Sequence, residues 1–307
     1  MENIPNDEID IKEIFSIFWK SKIIIILVTS LFAISSVYYA LSLPNYYKSE
    51  ALLKLSDAKN GSASTLASSY GDLASMAGIS LPTEGSNQAE YAIKIMQSRS
   101  FLKHLLDSHD LLPALMAPKY FNINSNELIY DSEIYNHKTN EWIREKPKYG
   151  EKKPTHLEVY EVAYKAFNVS KDKNSGFISI SFEHLSPVFA KQFLDIVILE
   201  LNKVVRAKDI NESTNSLIFL REQLNKTQEK DIKNSISKLI ETQLNVQMLA
   251  TVREEYLVNE IEQPFIPEFK SSPSRGIICI SITFIGGILS LFIVLVRQYM
   301  FNKNRYH

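Results

Sequence analysis

The side chains able to do chemistry are scattered along this chain. It has six histidines, and two of them, His104 and His109, stand five residues apart. That spacing places them on different faces of one helix, so zinc ligation is not expected there. Paired carboxylates at Glu254/Glu255 and Glu260/Glu262 have the types needed for general acid/base work. Neither pair sits in a pocket motif, and both read as solvated faces. The single cysteine, Cys279, lies inside an apolar run, so no intrachain disulfide is possible and a disulfide-rich scaffold is excluded. No G-x-x-x-x-G-K-[ST] phosphate loop occurs, and no glycine is followed by lysine. A G-x-S-x-G nucleophile elbow is also absent. With 34 basic and 35 acidic residues, the chain carries no nucleic-acid footprint. The expectation is a protein with no catalytic residue, no cofactor site and no metal site. Trp142, in a polar region, reads as packing a satellite cluster, with stacking on a sugar as the alternative. The charge-rich "REQLNKTQEKDIKNS" reads as a solvated helix end, with a pore or polymer path as the alternative.

Two apolar stretches frame everything else. Ile23–Leu43 and Gly276–Val296 each hold 21 residues without a charge. As helices each reaches about 30 Å, the thickness of a hydrocarbon core. A soluble core helix rarely runs this long without a charged face. Ala40-Leu41-Ser42 has the look of a signal cleavage site. The preceding acidic leader and the length of the run favour an uncleaved anchor instead. Lys20 and Lys22 before the first span, and Arg297, Lys303 and Arg305 after the second, place both termini in the cytoplasm. Tyr38, Tyr39, Tyr46 and Tyr47 suit an interfacial belt. Thr283/Gly287 and Gly286/Ser290 repeat small residues four apart, a spacing that lets helices approach closely.

Between the spans, "YYKSEALLKLSD" (46–57) alternates as a strand, with Ala51, Leu53 and Leu55 on one face and Glu50 and Lys54 on the other. Residues 60–87 read as a loop, with a short helix near "YGDLASMAGI". Residues 87–108 show helical spacing, with Asn87 as N-cap and Glu90 completing a capping-box variant. Residues 113–155, broken by five Pro and Gly, read as an irregular insertion. "YKAFNVSKD" (164–172) and "GFISISFEH" (176–184) read as a hairpin turned by "KNSG". Ile178, Ile180 and Phe182 share one face of it. Ser186-Pro187 opens a helix, with serine as cap and proline in the first turn. From Val188 to Gln263, 76 residues pass without proline or glycine. "NKTQEKD" (225–231) lacks apolar residues and marks a reversal, and "EYLVNEIEQPFIP" supplies a last strand.

The order strand, helix, strand, strand, helix, strand matches a split βαβ, ferredoxin-like unit whose last helix is replaced by a long helical hairpin. The expected fold is therefore an α+β membrane protein. Two transmembrane helices (23–43 and 276–296) flank an α+β domain (44–275) with an arm at about 186–253. Segments 1–22 and 297–307 are expected on the cytoplasmic side. Pro264, Pro267 and Pro273 fix φ, remove amide donors and extend the residues before them. They are expected to form a stiff connector that sets the height and angle of the sheet over the bilayer.

On these residues the chain resembles the Wzz-type chain-length determinants, the polysaccharide co-polymerases. The first span with "YYKSEALLKL" looks like the family's N-terminal block, and "YDSEIYNHKTNEWIREKP" like an insertion of one branch. "GFISISFEHLSPVFAKQFLDIVILELN" resembles the strand, Ser-Pro cap and helix before the family's arm. "LATVREEYLV" with the three prolines resembles its proline-rich segment before the second span. The resemblance implies a bacterial inner-membrane, ring-forming homo-oligomer whose bulk is periplasmic. It also implies a non-catalytic regulator of O-antigen or related polysaccharide length. Its partners would be the lipid bilayer, a membrane O-antigen polymerase and the growing lipid-linked polysaccharide. The 11 residues after Val296 hold no phosphate loop, which sets the sequence against a fused tyrosine kinase. An alternative is a capsule or exopolysaccharide export adaptor working with a separate cytoplasmic kinase or an outer-membrane channel. A further one is a membrane-anchored enzyme acting on glycans.

Overall fold

The alternation of Tyr47–Leu55 produces a strand, β1, that buries Tyr47, Ser49, Ala51 and Leu53 and exposes Lys48, Glu50 and Lys54. It is one of the two inner strands of the main sheet in a computed structural model that describes residues 18–56, 85–145 and 150–303. The expected loop and short helix of residues 60–87 lie almost wholly outside the described residues.

The chain divides into two units, residues 46–269 and residues 1–45 with 270–307. In the first, β1 is followed by helices α2 (Gly85–Met96), α3 (Arg99–Ser108) and α4 (Leu112–Met116). Hairpins β2 (Pro118–Asn122) with β3 (Glu127–Tyr130), and β4 (Tyr135–Asn136) with β5 (Glu141–Trp142), come next. Then come α5 (His156–Ala166), β6 (Phe167–Lys171), β7 (Ile178–His184), α6 (Pro187–Lys226), α7 (Lys230–Val252) and β8 (Val258–Glu262). The main sheet is antiparallel throughout, in the order β6-β7-β1-β8. One face is polar. The other, carrying Ala51, Leu53, Ile178, Ile180 and Phe182, packs under α6, α2, α3 and α5 to form the core. Phe182 stacks on Phe193 of α6 with ring centroids 4.0 Å apart.

Ser186 caps α6 as its sequence foretells: its hydroxyl accepts the Phe189 amide at 3.2 Å, and Pro187 occupies the first turn. The 40 residues of α6 extend about 60 Å. Residues up to Val205 belong to the sheet core. Beyond them Leu220 meets Ile236 and Leu239 of α7 in a separate small cluster, so the outer part of α6 and α7 form a helical hairpin. The reversal falls at residues 227–229, inside the expected segment.

Four expectations need correction. The stretch 87–108 is two helices, because Ser98 caps a new one by accepting the Phe101 amide at 3.1 Å. The first of these begins at Gly85, so Asn87 lies inside it and not at its cap. Residues 156–166, partly assigned to a strand, form α5. Thr155 caps it, and Val159 and Ala163 bury one stripe. Finally, residues 113–142 of the insertion are not irregular.

They are built from a repeated turn. In the sequences Asn122–Asn126 and Asn136–Asn140, the first Asn side-chain oxygen accepts two backbone amides, at 3.0 and 3.4 Å in each. The last Asn in each takes φ 55°, the left-handed region that asparagine tolerates. Asp172–Gly176 closes the β6–β7 hairpin in the same way, with amides at 2.7 and 3.3 Å and Gly176 at φ 74°.

The second unit holds α1 (Lys22–Ser42) and α8 (Arg275–Lys303), packed against each other. Both are long and apolar enough to cross a membrane, over Lys22–Ser42 and Arg275–Gln298. Their large apolar side chains face outward: Ile23 is 72% exposed, Ile280 72% and Phe284 68%. A soluble core helix buries such residues, whereas lipid covers them in a span. Thr29, Ser36 and Ser290 return their hydroxyls to backbone carbonyls one turn back, at 2.6–2.7 Å, which removes free donors from the apolar surface.

Candidate functional site

The element most distinctive of this chain is the helical hairpin, and three side chains of α6 fix its return to the sheet. Asn202, Arg206 and Asp209 lie along one stripe of α6. The Asn202 amide oxygen accepts the Leu257 amide at 2.7 Å and the Val258 amide at 3.0 Å, and its Nδ2 donates to the Val258 carbonyl at 3.1 Å. Strand β8 is an edge, so its outward backbone groups have no strand to pair with. Asn202 takes the place of that missing strand. Arg206 donates to the Arg253 carbonyl at 3.3 Å, where α7 ends. The Tyr256 hydroxyl donates to Asp209 at 2.7 Å, and burial together with that carboxylate pushes its ionisation upward. Further out, Gln247 of α7 donates to Thr214 of α6 at 3.1 Å.

A second cluster ties α3 to α6. Glu200 is buried on the core side of α6. It meets Lys203 Nζ at 2.8 Å, His104 Nε2 at 2.7 Å and His109 Nε2 at 3.2 Å. Burial pushes its carboxyl up, but the hydrogen bonds from Lys203 and the two histidines outweigh that and hold it at about 2. The sequence spacing separates His104 from His109 only if the helix continues. It ends at Ser108, and His109, extended at φ −138°, brings its ring back to the same carboxylate.

His184 sits buried at the end of β7. Its Nε2–H donates to the Ala114 carbonyl at 2.9 Å, and its Nδ1 accepts the Ser186 amide at 3.1 Å. Burial lowers its pKa to about 4, against the smaller opposing effect of the two hydrogen bonds, so the ring is neutral.

The carboxylates singled out from sequence sit at or near the surface. Glu254 and Glu255 are exposed. Glu260 is half-buried, and burial with the charges of Glu255 and Asp195 raises its carboxyl.

Of the connector prolines, Pro264 and Pro267 are buried in the sheet unit, where Ser49 of β1 donates to the Phe265 carbonyl between them at 2.7 Å. Pro273 lies in the helical unit, after a cis peptide bond and two residues before α8. There Arg275 donates to the Leu43 carbonyl at 3.3 Å and to Asn45 Oδ1 at 3.0 Å, joining the start of α8 to the end of α1.

The four small residues of α8 part into two roles. Gly286 and Ser290 are buried, and a Cβ on Gly286 would stand 2.5 Å from Phe32 Cβ and Cγ. Gly286 packs directly against Phe32 of α1. Thr283 and Gly287 line an apolar groove of about 690 Å³ between the two helices, together with Cys279 and Val37, and Gly287 also lies close to Thr29 of α1.

Residues 7–109 match the family described as Wzz: Chain length determinant protein. Over that stretch the chain is similar to the Wzz family. The matched residues include α1, β1, α2 and α3, with His104 and His109 at their end. A full-length bacterial polysaccharide co-polymerase is similar at 13% identity, covering 96% of this chain and 99% of that one, with a TM-score of 0.46. A fragment of WzzB, a polysaccharide co-polymerase from Salmonella Typhimurium, is similar at 14% identity over 74% of this chain and 100% of that one, with a TM-score of 0.32. No curated protein matches the chain.

Proposed function

We propose that this Wzz-type protein is a non-catalytic regulator of surface-polysaccharide chain length, of the O-antigen kind. It acts in the bacterial inner membrane as a homo-oligomer beside a Wzy-type polymerase and the lipid-linked polymer. The observation that carries the reading is the Wzz match over residues 7–109, which takes in the first span and the central strand. The two outward-facing apolar helices support the membrane setting. In this reading the sheet unit is a ferredoxin-like base, residues 44–275 are periplasmic, and the termini are cytoplasmic.

Assembly is supported by the hairpin, which leaves Ile218, Phe219, Leu244, Met248 and Val252 exposed. A second copy would cover such residues. The mechanism is geometric: protomers held at fixed spacing by their spans and base present the hairpins as a common surface that limits or times elongation. Pro264, Pro267 and Pro273 serve as the link that keeps base and spans in register. Thr283 and Gly287 serve helix packing between protomers.

Deleting the gene tests this. The electrophoretic ladder of surface polysaccharide is expected to lose its modal cluster and broaden. An unchanged ladder would contradict the proposal.

A further inference from the structure

One cleft of the sheet unit has a composition that neither the core nor the hairpin explains. It has a volume of about 620 Å³ and opens between α3, the β4–β5 hairpin and the residues leading into α5. That is the size of a small-molecule site. Its wall includes Trp142, half-buried, whose ring lies 4.9 Å from Tyr135 across the β4–β5 pair. Tyr135 is buried, and its hydroxyl donates to Asn140 Oδ1 at 2.9 Å. The Asn140 oxygen is therefore engaged, and its amide hydrogens remain to donate elsewhere. Asp107 and Asp110, both exposed, add carboxylate acceptors to the rim, and Lys153 and His156 add donors.

The elements that hold these groups are braced by hydrogen bonds. The Tyr135–Trp142 pair is set by the short Asn136–Asn140 turn, and Arg144 braces the far side. It donates to Glu158 at 2.7 Å and to the Lys152 carbonyl at 2.6 Å.

An aromatic ring beside exposed carboxylates and an amide, in an open cleft, is the chemistry that binds a sugar. The C–H face of a pyranose is apolar and slightly positive, which suits the negative face of an indole. Its hydroxyls need acceptors and donors in alternation, which carboxylates, an amide and an imidazole supply. Acidic and basic groups both line the rim, so no single-sign field selects a polyanion.

We propose that this cleft is a glycan subsite that takes a neutral or N-acetylated oligosaccharide segment, with Trp142 as its stacking platform and Asp107 and Asp110 as hydroxyl acceptors. The inference rests on the chain-length reading for the choice of glycan, namely a segment of the polymer whose length is set.

The chain has two tryptophans. In a full-length Trp19→Phe protein the only indole is therefore Trp142. That protein, in an amine-oxide detergent without a sugar headgroup, is titrated with lipid-free oligosaccharide released by mild acid from the cell's own surface polysaccharide. A saturable change in Trp142 emission is expected. The double variant Asp107→Ala/Asp110→Ala, altered at exposed positions, should keep the same starting spectrum and bind at least about tenfold more weakly. Flat emission through millimolar oligosaccharide overturns the proposal, and so does undiminished binding by the double variant. The deletion ladder separates the two claims. A changed ladder with a silent Trp142 overturns the subsite alone. Saturable binding with an unchanged ladder keeps the subsite and overturns the chain-length reading.

Discussion

Replacing Asn202 by leucine tests whether the hairpin is held to its base by the contacts described. The two side chains are close in volume, so packing is largely kept. What is lost is the partner of three buried backbone groups: the Leu257 and Val258 amides and the Val258 carbonyl. Each unsatisfied group costs about 1–3 kcal/mol, and the added apolar burial returns part of this. The net loss is about 4 kcal/mol, at the upper end for a single substitution. For a unit of this size that lowers the unfolding midpoint by roughly 8–16 °C. Far-ultraviolet circular dichroism of the detergent-solubilised full chain reads the midpoint. Hydrogen exchange of the peptide holding Leu257 and Val258 reads the site itself and should quicken at least about tenfold. Asn215→Leu makes the same chemical change on the same helix at an exposed position, and is expected to stay within about 0.5 kcal/mol. A midpoint for Asn202→Leu no lower than that of Asn215→Leu, or unchanged exchange at 257–258, would refute the reasoning.

Acid should weaken the protein in two steps. The unfolded chain takes up a proton at His184 near 6.5 and the folded chain only near 4, so stability falls as pH drops through that window, by roughly 3 kcal/mol in all. Glu200 stays ionised in the folded chain down to about 2 but protonates near 4.5 when unfolded, so its share is lost between those values. Denaturant midpoints measured against pH should show both losses, and His184→Gln should flatten the first. Gly286→Ala places a methyl group onto Phe32 and should cost about 1–3 kcal/mol, read as a lower midpoint of the detergent-solubilised chain. Gly287→Ala, whose Cβ would meet Thr29 at 3.7 Å, should cost far less. Replacing Pro264, Pro267 and Pro273 together by alanine should change both oligomer size and polymer length, whereas unchanged values would reduce these prolines to strand terminators.

What the sequence shows clearly is whatever repeats with a simple period. The two uncharged runs, the alternation of β1 and β7, the Ser186-Pro187 cap and the apolar gap near 225–231 all depend on neighbours in the chain. Helix α5 escaped because only Val159 and Ala163 of its stripe are buried, leaving "HLEVYEVAYKA" with little apolar contrast. The hairpins of the insertion were hidden by their short strands, although the paired asparagines at 122/126 and 136/140 carry the turn in plain view. The Glu200 cluster was out of reach for a different reason. Its two histidine partners come from 91 and 96 residues away, and one of them depends on where a helix stops. The edge-strand role of Asn202 likewise exists only once the sheet order is known.

The most direct test of the central claim is the length distribution of polymer made in liposomes by the purified polymerase from lipid-linked repeat units, with and without this protein. The account predicts a broad distribution without it and a narrow modal cluster with it, at an unchanged count of glycosidic bonds cleaved. Identical distributions in the two preparations, or shortening of polymer already made, would contradict it.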